Sequence, residues 1–140
     1  DISLEGVVMY DGAIQEGLSE NHVTSGEKSL KIKIPNITWE AYPGMIVRSE
    51  SIDTSKAETL EFDMFNDSQS VMSLYVKFFD EAGNASDHSF GAITPGAQHV
   101  SFPISQLVGI DKNKIKSILI WTYPQNAEVT FYFDNFHFWS

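Results

Sequence analysis

The chain has 140 residues and no Cys, 42% of them are hydrophobic, and 9 Lys and Arg stand against 19 Asp and Glu, which gives a net charge of −10. This length is typical of one domain that buries roughly 68% of its extended surface, and the composition excludes a disordered chain and a disulfide scaffold. The negative charge opposes binding to nucleic acid and to anionic membranes, and no apolar run approaches the ~18 residues of a membrane span.

The chain begins Asp1-Ile2-Ser3-Leu4, without the charged and apolar segments of a signal peptide. We therefore expect residues 1–140 to form a single domain that is mature or excised from a larger protein. The charge balance is easier to reconcile with a neutral or cationic ligand than with an anionic one.

Short segments that alternate apolar and polar residues recur along the chain, separated by turns rich in Gly, Pro, Asn and Asp. Pro43-Gly44 falls inside the third segment and requires a bulge, a bend or an edge position there. The predicted strands, in order, are Leu4 to Tyr10, Ser29 to Ile34, Trp39 to Arg48, Leu60 to Asn66, Ser73 to Phe79, Asp87 to Ile93, His99 to Ile104, Lys116 to Tyr123 and Glu128 to Trp139.

The connections between these segments show little helical character. Asp11-Gly12 and Glu16-Gly17 punctuate a polar connection after the first strand, and residues 104–108 are expected to form a single helical turn. About nine short strands at even spacing, with no 3.6-residue period, predict an all-β chain folded as an antiparallel sandwich of two sheets.

The last predicted strand changes its alternation midway. Val129, Phe131 and Phe133 hold odd positions, whereas Phe136 and Phe138, after Asp134-Asn135, hold even ones. In a regular strand the two groups of rings would point to opposite faces. One extra residue at Asp134-Asn135, a β-bulge, would return all of them to one core and fix the direction of the Asp134 carboxylate.

Three segments together resemble one known family of domains. The closing segment, residues 131–136, reads F-Y-F-D-N-F; the others are residues 24–33, T-S-G-E-K-S-L-K-I-K, and residues 60–66 followed by the strand end at residues 79–84, F-D-E-A-G-N. They resemble the β-jelly-roll, galactose-binding-like carbohydrate-binding modules of bacterial polysaccharide-degrading enzymes. The resemblance implies a jelly roll with predicted strands two, nine, four and seven in one sheet and three, eight, five and six in the other.

That strand order brings outward side chains of the second sheet together. A sugar ring has an apolar face and a rim of hydroxyls, so aromatic plates with charged groups at their edge are suited to bind it. Two alternatives stay open: Trp121 belongs to the core if its strand parity is off by one, and the charged residues are ordinary exposed positions. The candidate carbohydrate-binding residues are Trp39, Arg48, Tyr75, Lys77, His88, Trp121 and Tyr123.

Asp134 needs a partner wherever it is buried, because an isolated buried carboxylate is costly. The resemblance implies a structural calcium ion held by Asp134, by Glu5 and by carbonyls around Gly26 and Lys28, a set of hard oxygen ligands that suits calcium. The alternative is a plain hydrogen bond from neighbouring amides to Asp134. His22, His99 and His137 lack metal-ligand spacing and are interpreted as structural or solvated.

Catalysis is the minor interpretation. Glu61 and Asp63 share one strand face about 7 Å apart, but an acidic strand often produces such a pair, and nucleophile, phosphate-loop and metalloprotease motifs are missing from the sequence. We expect a non-catalytic module, extracellular and covalently linked to a catalytic domain, that binds a polysaccharide. The alternatives are a structural or protein-interaction sandwich that packs on a neighbouring domain, and a small lyase or hydrolase.

Overall fold

The computed structural model describes residues 7–124 and 127–139, and these form two antiparallel sheets of five strands each. The strands are β1 (Val7–Tyr10), β2 (Ile14–Ser19), β3 (Ser29–Ile34), β4 (Gly44–Ile52), β5 (Thr59–Asn66), β6 (Met72–Asp80), β7 (Ala85–Ile93), β8 (Gly96–Pro103), β9 (Ile115–Thr122) and β10 (Val129–Trp139). A 3₁₀ turn at Ile104–Gln106 follows β8, as the sequence predicts for this segment. The all-β sandwich prediction is confirmed.

The sheets have the strand orders β1-β4-β9-β6-β7, called sheet A, and β2-β3-β10-β5-β8, called sheet B. The eight strands from the second predicted strand onward divide between the sheets as the jelly-roll resemblance implies. β1 and β2 add one edge strand to each sheet. Sequential neighbours such as β3 and β4 therefore lie in different sheets, which wraps the chain around one core.

One strand is missing from the prediction, and another is predicted to begin too early. β2 lies where the sequence predicts a polar connection. Its sequence signal is weak because its apolar residues Ile14 and Leu18 are 44% exposed each and a bulge between Gln15 and Gly17 interrupts the alternation. The third predicted strand begins at Gly44 and not at Trp39, so the Pro43-Gly44 pair precedes the strand. Of the first predicted strand, residues 4–6 lie outside the described residues.

The core lies between the two sheets and is built from the alternating apolar positions of both. Phe62 of sheet B and Phe78 of sheet A are completely buried, and Leu30 and Val76 are as well. Each such side chain contributes about 1.5–3 kcal/mol by leaving water. Strand parity therefore decides which side chains form the core. The outward side chains of sheet A are not needed for the core and form the outer surface of that sheet.

The predicted bulge in β10 is present. Asp134 pairs with Asp63 and His137 with Glu61, so three residue steps on β10 oppose two on β5. Asn135 takes the left-handed conformation, with φ of 52°, to accommodate the extra residue. Phe136 and Phe138 consequently pack on the same core as Phe131 and Phe133.

Within the part of the chain that the structure describes, no helix is both long and apolar enough to cross a lipid bilayer.

Candidate functional site

An open groove of about 650 Å³ lies on the outer face of sheet A. It is mostly aromatic on one side and polar on the other, and the sheet forms its floor. The lining residues are Tyr10, Tyr42, Tyr75, Lys77, Asp87, His88, Ser89, Leu119, Trp121 and Tyr123.

Strand register places these residues in two rows that run across the sheet. In the first row Trp121 of β9 stands opposite Gly44 of β4 on one side and Tyr75 of β6 on the other. Tyr10 extends this row beyond Gly44, and Ser89 extends it beyond Tyr75. Because cross-strand neighbours on one face have Cβ atoms about 4.5–5.5 Å apart, the Trp121, Tyr75 and Ser89 side chains of this row adjoin one another.

The second row lies two residues further along each strand. Leu119 of β9 pairs with Ile46 of β4 and with Lys77 of β6, and Lys77 pairs with Asp87 of β7. Leu119 is 7% exposed and lies outside the inter-sheet core cluster. It therefore forms the apolar floor beside a charged edge.

Gly44 interrupts the first row by steric necessity. A Cβ at this position would lie 1.9 Å from the Ile120 carbonyl oxygen and 2.7 Å from the Trp121 Cα. No side chain fits, so the row has a gap beside Trp121. Tyr42, from the loop before β4, contacts Trp121 over this gap, with ring centroids 5.2 Å apart.

Four aromatic rings form a connected cluster in the groove. Tyr75 and Trp121 stack with centroids 4.5 Å apart and ring planes 21° from parallel. Tyr123 meets both of them nearly perpendicularly, at 78° to Tyr75 and 85° to Trp121. Tyr42 and Tyr123 are 40% and 49% exposed, whereas Tyr75 and Trp121 are half-buried. The two tyrosines nearest solvent are thus supported by the stacked pair.

Tyr42 is held in place by its backbone. Its amide N–H donates to the Asp11 carboxylate at 2.7 Å, and the adjacent Pro43 carbonyl accepts from the Thr122 amide at 3.0 Å. The negative charge of Glu40, whose carboxylate lies 3.4 Å from the Tyr42 hydroxyl, raises the pKa of Tyr42. The Tyr42 O–H donates to Glu40 Oε1, and the hydroxyl oxygen can still accept a hydrogen bond.

The polar edge of the groove carries one ion pair. Lys77 Nζ lies 3.8 Å from Asp87 Oδ2 and 5.5 Å from the centre of the Phe79 ring. A separation of 3.8 Å is an ion pair without a hydrogen bond, so both groups keep hydrogen-bonding capacity for a ligand. The groove thus offers an aromatic surface beside a donor and an acceptor.

Five of the predicted site residues line the groove: Tyr75, Lys77, His88, Trp121 and Tyr123. The parity alternative for Trp121 is resolved, because Ile118 and Ile120 of β9 belong to the core cluster and Trp121 does not. The aromatic side of the predicted site is therefore present as one surface.

His88 lines the groove, but its ring is turned toward the core. β7 begins at Ala85, and its alternation turns Ser86, His88 and Phe90 inward. The His88 ring lies 5.2 Å from the Phe102 ring, and its Nε2 is 2.6 Å from the Ser86 hydroxyl oxygen. The His88 ring therefore packs at the edge of the core.

Trp39 and Arg48 are also not brought into the groove. Trp39 is 58% exposed in the loop before β4, beside Gly12. Arg48 is exposed on β4 opposite Ser117, four residues and about 13 Å along the strand from Gly44. Trp39 stays outside the described lining because the strand begins at Gly44, whereas Arg48 is in the strand but too far along it to reach the lining.

Several lining residues were missed from the sequence, namely Tyr10, Tyr42, Asp87, Ser89 and Leu119. The parity of β1 would have placed Tyr10 outward with Val8, and that of β7 would have placed Asp87 and Ser89 outward. Tyr42 belongs to no strand, so no periodic pattern marks it. Its position depends on the loop contact with Asp11.

Asp134 is 2% exposed and accepts hydrogen bonds from three amides. Thr24 N–H and Ser25 N–H donate to Oδ2 at 2.7 and 2.8 Å, and Asn135 N–H donates to Oδ1 at 2.8 Å. The loop before β3 thus reaches Asp134 through amide donors. These contacts correspond to the hydrogen-bonded alternative.

The calcium prediction stays untested by these contacts. No group of three or more His, Asp or Glu side chains within residues 7–124 and 127–139 is arranged to hold a metal ion. Among the described residues, the Asp134 carboxylate accepts hydrogen bonds from backbone amides. A calcium ion would also need Glu5, which lies outside the described residues.

Glu61 and Asp63 lie on the outer face of sheet B, away from the groove, where His99 of β8 bridges them. His99 Nδ1 is 2.6 Å from Asp63 and Nε2 is 2.6 Å from Glu61. Hydrogen bonds with Asp63 and Glu61 raise the pKa of His99. Hydrogen bonds from Thr59 and His99 lower the pKa of Glu61. The two carboxylates are thus already paired within the chain.

No protein-family model matches this sequence, and a search of curated proteins finds no significant relative. Solved structures share the fold. An exo-β-agarase superposes with a TM-score of 0.77 at 15% identity over 99% of this chain, which spans 23% of the agarase. A second agarase, AgWH50C, gives a TM-score of 0.74 at 13% identity, again over 99% of this chain and 23% of the enzyme.

Two isolated modules match over nearly their whole length. The family 11 carbohydrate-binding module from Clostridium thermocellum, solved with a β-1,3-1,4-mixed-linked tetrasaccharide, has a TM-score of 0.71 at 16% identity, covering 99% of this chain and 91% of the module. The family 30 module of a Clostridium thermocellum cellulosomal cellulase has a TM-score of 0.61 at 18% identity, covering 93% and 90%. The chain therefore has the β-sandwich fold of carbohydrate-binding modules.

Proposed function

We propose that this chain is a non-catalytic carbohydrate-binding module that holds a polysaccharide in the groove of sheet A. The observation that carries the proposal is the four-ring cluster of Tyr42, Tyr75, Trp121 and Tyr123, with Lys77 and Asp87 at its edge. Contiguous exposed apolar patches mark interaction surfaces or ligand-binding grooves, and the exposed rings of Tyr42 and Tyr123 lie side by side in this cluster.

The chemistry of the groove suits a sugar chain. Sugar C–H faces pack on aromatic rings, while hydroxyls both donate and accept hydrogen bonds. Tyr42 and Tyr123 supply exposed rings, and Lys77 and Asp87 supply a donor and an acceptor within reach of the same ligand. The groove runs across several strands, which gives space for more than one sugar unit.

The solved neighbours support the same function. Two of them are modules of nearly this length that are named for carbohydrate binding, and one holds a tetrasaccharide. The agarases are more than four times longer than the part that this chain matches. We therefore propose that the module is extracellular and covalently linked to a catalytic domain, whose local concentration on the polysaccharide it raises.

The test is a gel-retardation panel of the 140-residue chain against glucans, xylans, galactans and mannans. We expect retardation by one polymer class and its loss in Trp121→Ala, because the variant removes the ring that contacts the other three aromatics. Phe65→Ala is the matched control, since Phe65 stacks on His22 on the opposite face.

Three outcomes would contradict the proposal. If no polysaccharide of the panel retards the wild-type chain, a protein-interaction sandwich is favoured. Equal loss of retardation in Phe65→Ala would show that the groove is not the binding site. Release of reducing ends by a clean preparation would instead establish catalysis.

A structural calcium ion at Asp134 is a separate proposal, motivated by the family resemblance. The ion would stabilise the junction of β10 with the loop before β3 and would not touch sugar. Because a ligand that binds the native state alone raises stability, a chelator should lower the Tm of the wild-type chain and leave that of Asp134→Asn unchanged. A wild-type Tm that is insensitive to chelator would leave Asp134 as a hydrogen-bond acceptor alone.

A further inference from the structure

We propose that the groove selects uncharged glycan chains and that Asp87 enforces this selectivity by neutralising Lys77. The inference rests on the proposed glycan-binding function. It adds the chemical class of the ligand and the residue that determines it.

Lys77 is the only Lys or Arg among the described groove-lining residues. It stands directly across from Asp87 in the β6–β7 register, with Nζ 3.8 Å from Oδ2. The Asp87 side chain is the more exposed of the two, 66% against 35% for Lys77. A ligand in the groove therefore meets the carboxylate at least as readily as the ammonium group.

Two further carboxylates near Tyr42 add negative charge at the aromatic end of the groove. Glu40 lies beside the Tyr42 hydroxyl, and Asp11 holds the Tyr42 amide. Lys77 and Asp87 cancel, so these four groups together leave the aromatic end of the groove negative, in a chain with a net charge of −10. Like charges about 4 Å apart cost about 1 kcal/mol even in bulk water.

An uncharged sugar avoids this repulsion and uses both groups of the ion pair. A carboxylate accepts from one hydroxyl while an ammonium group donates to the next, so the pair matches two neighbouring hydroxyls. A uronate carboxylate or a sulfate would instead need a cation without a counterion. Within the described lining, Lys77 becomes such a cation when the charge of Asp87 is removed.

The experiment compares the wild-type chain with Asp87→Asn and Glu16→Gln. Both variants remove one negative charge, but Glu16 pairs with Lys33 at 3.2 Å and Lys31 at 3.9 Å on sheet B, away from the groove. Each chain is run in gels loaded with the neutral glycan found in the panel or with polygalacturonate, in calcium-free buffer of low ionic strength. Low salt keeps the Debye length long enough to expose the charge effect.

We expect the wild-type chain to bind the neutral glycan and to show no retardation by polygalacturonate. Asp87→Asn should gain polygalacturonate binding by roughly tenfold, as expected for an interaction of about 1 kcal/mol or slightly more. Glu16→Gln should behave as the wild type on both polymers. The Tm of each variant should stay close to that of the wild type, because exposed ion pairs contribute little to stability.

The inference fails if the wild-type chain binds polygalacturonate as well as the neutral glycan, if Asp87→Asn gains nothing, or if Glu16→Gln gains as much. In each of these cases the wild-type chain still binds the neutral glycan, so the proposed function survives. Binding to polygalacturonate alone would overturn the selectivity only, whereas absence of binding to polygalacturonate and to every neutral polymer overturns both proposals together.

Discussion

The two outer faces of the sandwich hold similar residue types and use them differently. On sheet B, His99 engages both Glu61 and Asp63, and Asp63 also accepts from the Thr24 hydroxyl at 2.7 Å and from the Asn135 side-chain amide at 3.3 Å. On sheet A, Asp87 stands 3.8 Å from Lys77, beyond hydrogen-bond range.

This difference distinguishes a face whose polar groups are hydrogen-bonded within the chain from the face that we propose binds a glycan. Where acceptors are already satisfied by the chain, a ligand has to displace internal hydrogen bonds before it gains new ones. Where rings are supported by one another and polar groups keep free capacity, a ligand adds contacts without that loss. The carboxylate pair that looks catalytic in the sequence lies on the satisfied face, and the aromatic residues lie on the other.

The largest expected effect comes from Gly44→Ala. Its Cβ would lie 1.9 Å from the Ile120 carbonyl oxygen, so β4 and β9 must separate locally. We expect a loss of about 3 kcal/mol in denaturant unfolding and the loss of glycan binding.

Gly17→Ala is the control for that variant. A Cβ at Gly17 would meet nothing within 4 Å, but its φ is +88°. Strain should lower the unfolding free energy by about 1 kcal/mol and leave binding intact, since Gly17 lies on sheet B. A Gly44→Ala chain as stable as Gly17→Ala would contradict the close approach of β4 to β9.

A smaller effect is expected from Tyr42→Ala. Tyr42 is 40% exposed and contacts Trp121 and Tyr123 by its ring. Losing one aromatic contact to the ligand should weaken binding about tenfold. Affinity electrophoresis with increasing glycan concentration measures the change.

Trp39→Ala is the matched control for Tyr42→Ala, because Trp39 is even more exposed, at 58%, yet lies outside the described groove lining. Its affinity should equal that of the wild type. If Trp39→Ala lowered the glycan affinity as much as Tyr42→Ala does, Trp39 would belong to the binding site and the described groove would not define it.

The smallest effect is a pH dependence on sheet B. Because the folded-state pKa of His99 is raised by Asp63 and Glu61, its contribution is fully present below the ordinary imidazole pKa and is lost as pH rises through the raised value. The pKa values of Glu61 and Asp63 are lowered in the folded state, so these two carboxylates contribute to stability at neutral pH. That contribution is lost as the pH falls through their folded-state pKa values.

The Tm should therefore decline modestly as pH rises through the neutral range, and His99→Gln should flatten this decline. The effect is small because the His99 side chain is 50% exposed and solvent screens the pairing. Glycan binding at the groove should be the same in both chains at each pH. An unchanged Tm profile in His99→Gln would remove His99 from the stabilising contacts.

Much of the fold could be predicted because its signals are local. The alternation of Leu30, Ile32 and Ile34 predicted β3, and the parity change around Asp134 predicted the bulge that the β10–β5 register confirms. β2 was missed because an edge strand with exposed Ile14 and Leu18 lacks the alternation that burial imposes.

The candidate site was predicted in part, and the errors have a common cause. Tyr75, Lys77, Trp121 and Tyr123 follow from strand parity, so the sequence places them on one face. The His88 ring packs against Phe102 of the core although His88 lines the groove, and Tyr42 lies in a loop whose position depends on Asp11. Loops and strand bounds are set by contacts distant in sequence.

The sequence by itself determined which strands exist in most of the chain, which side chains are buried and where the last strand bulges, because period and parity are properties of neighbouring residues. Tertiary structure alone decided that Gly44 and Trp121 would be cross-strand neighbours, that Tyr42 would contact Trp121 beside them, and that Asp87 would face Lys77. Those pairings depend on strand order and register, which arise when distant segments pack against one core.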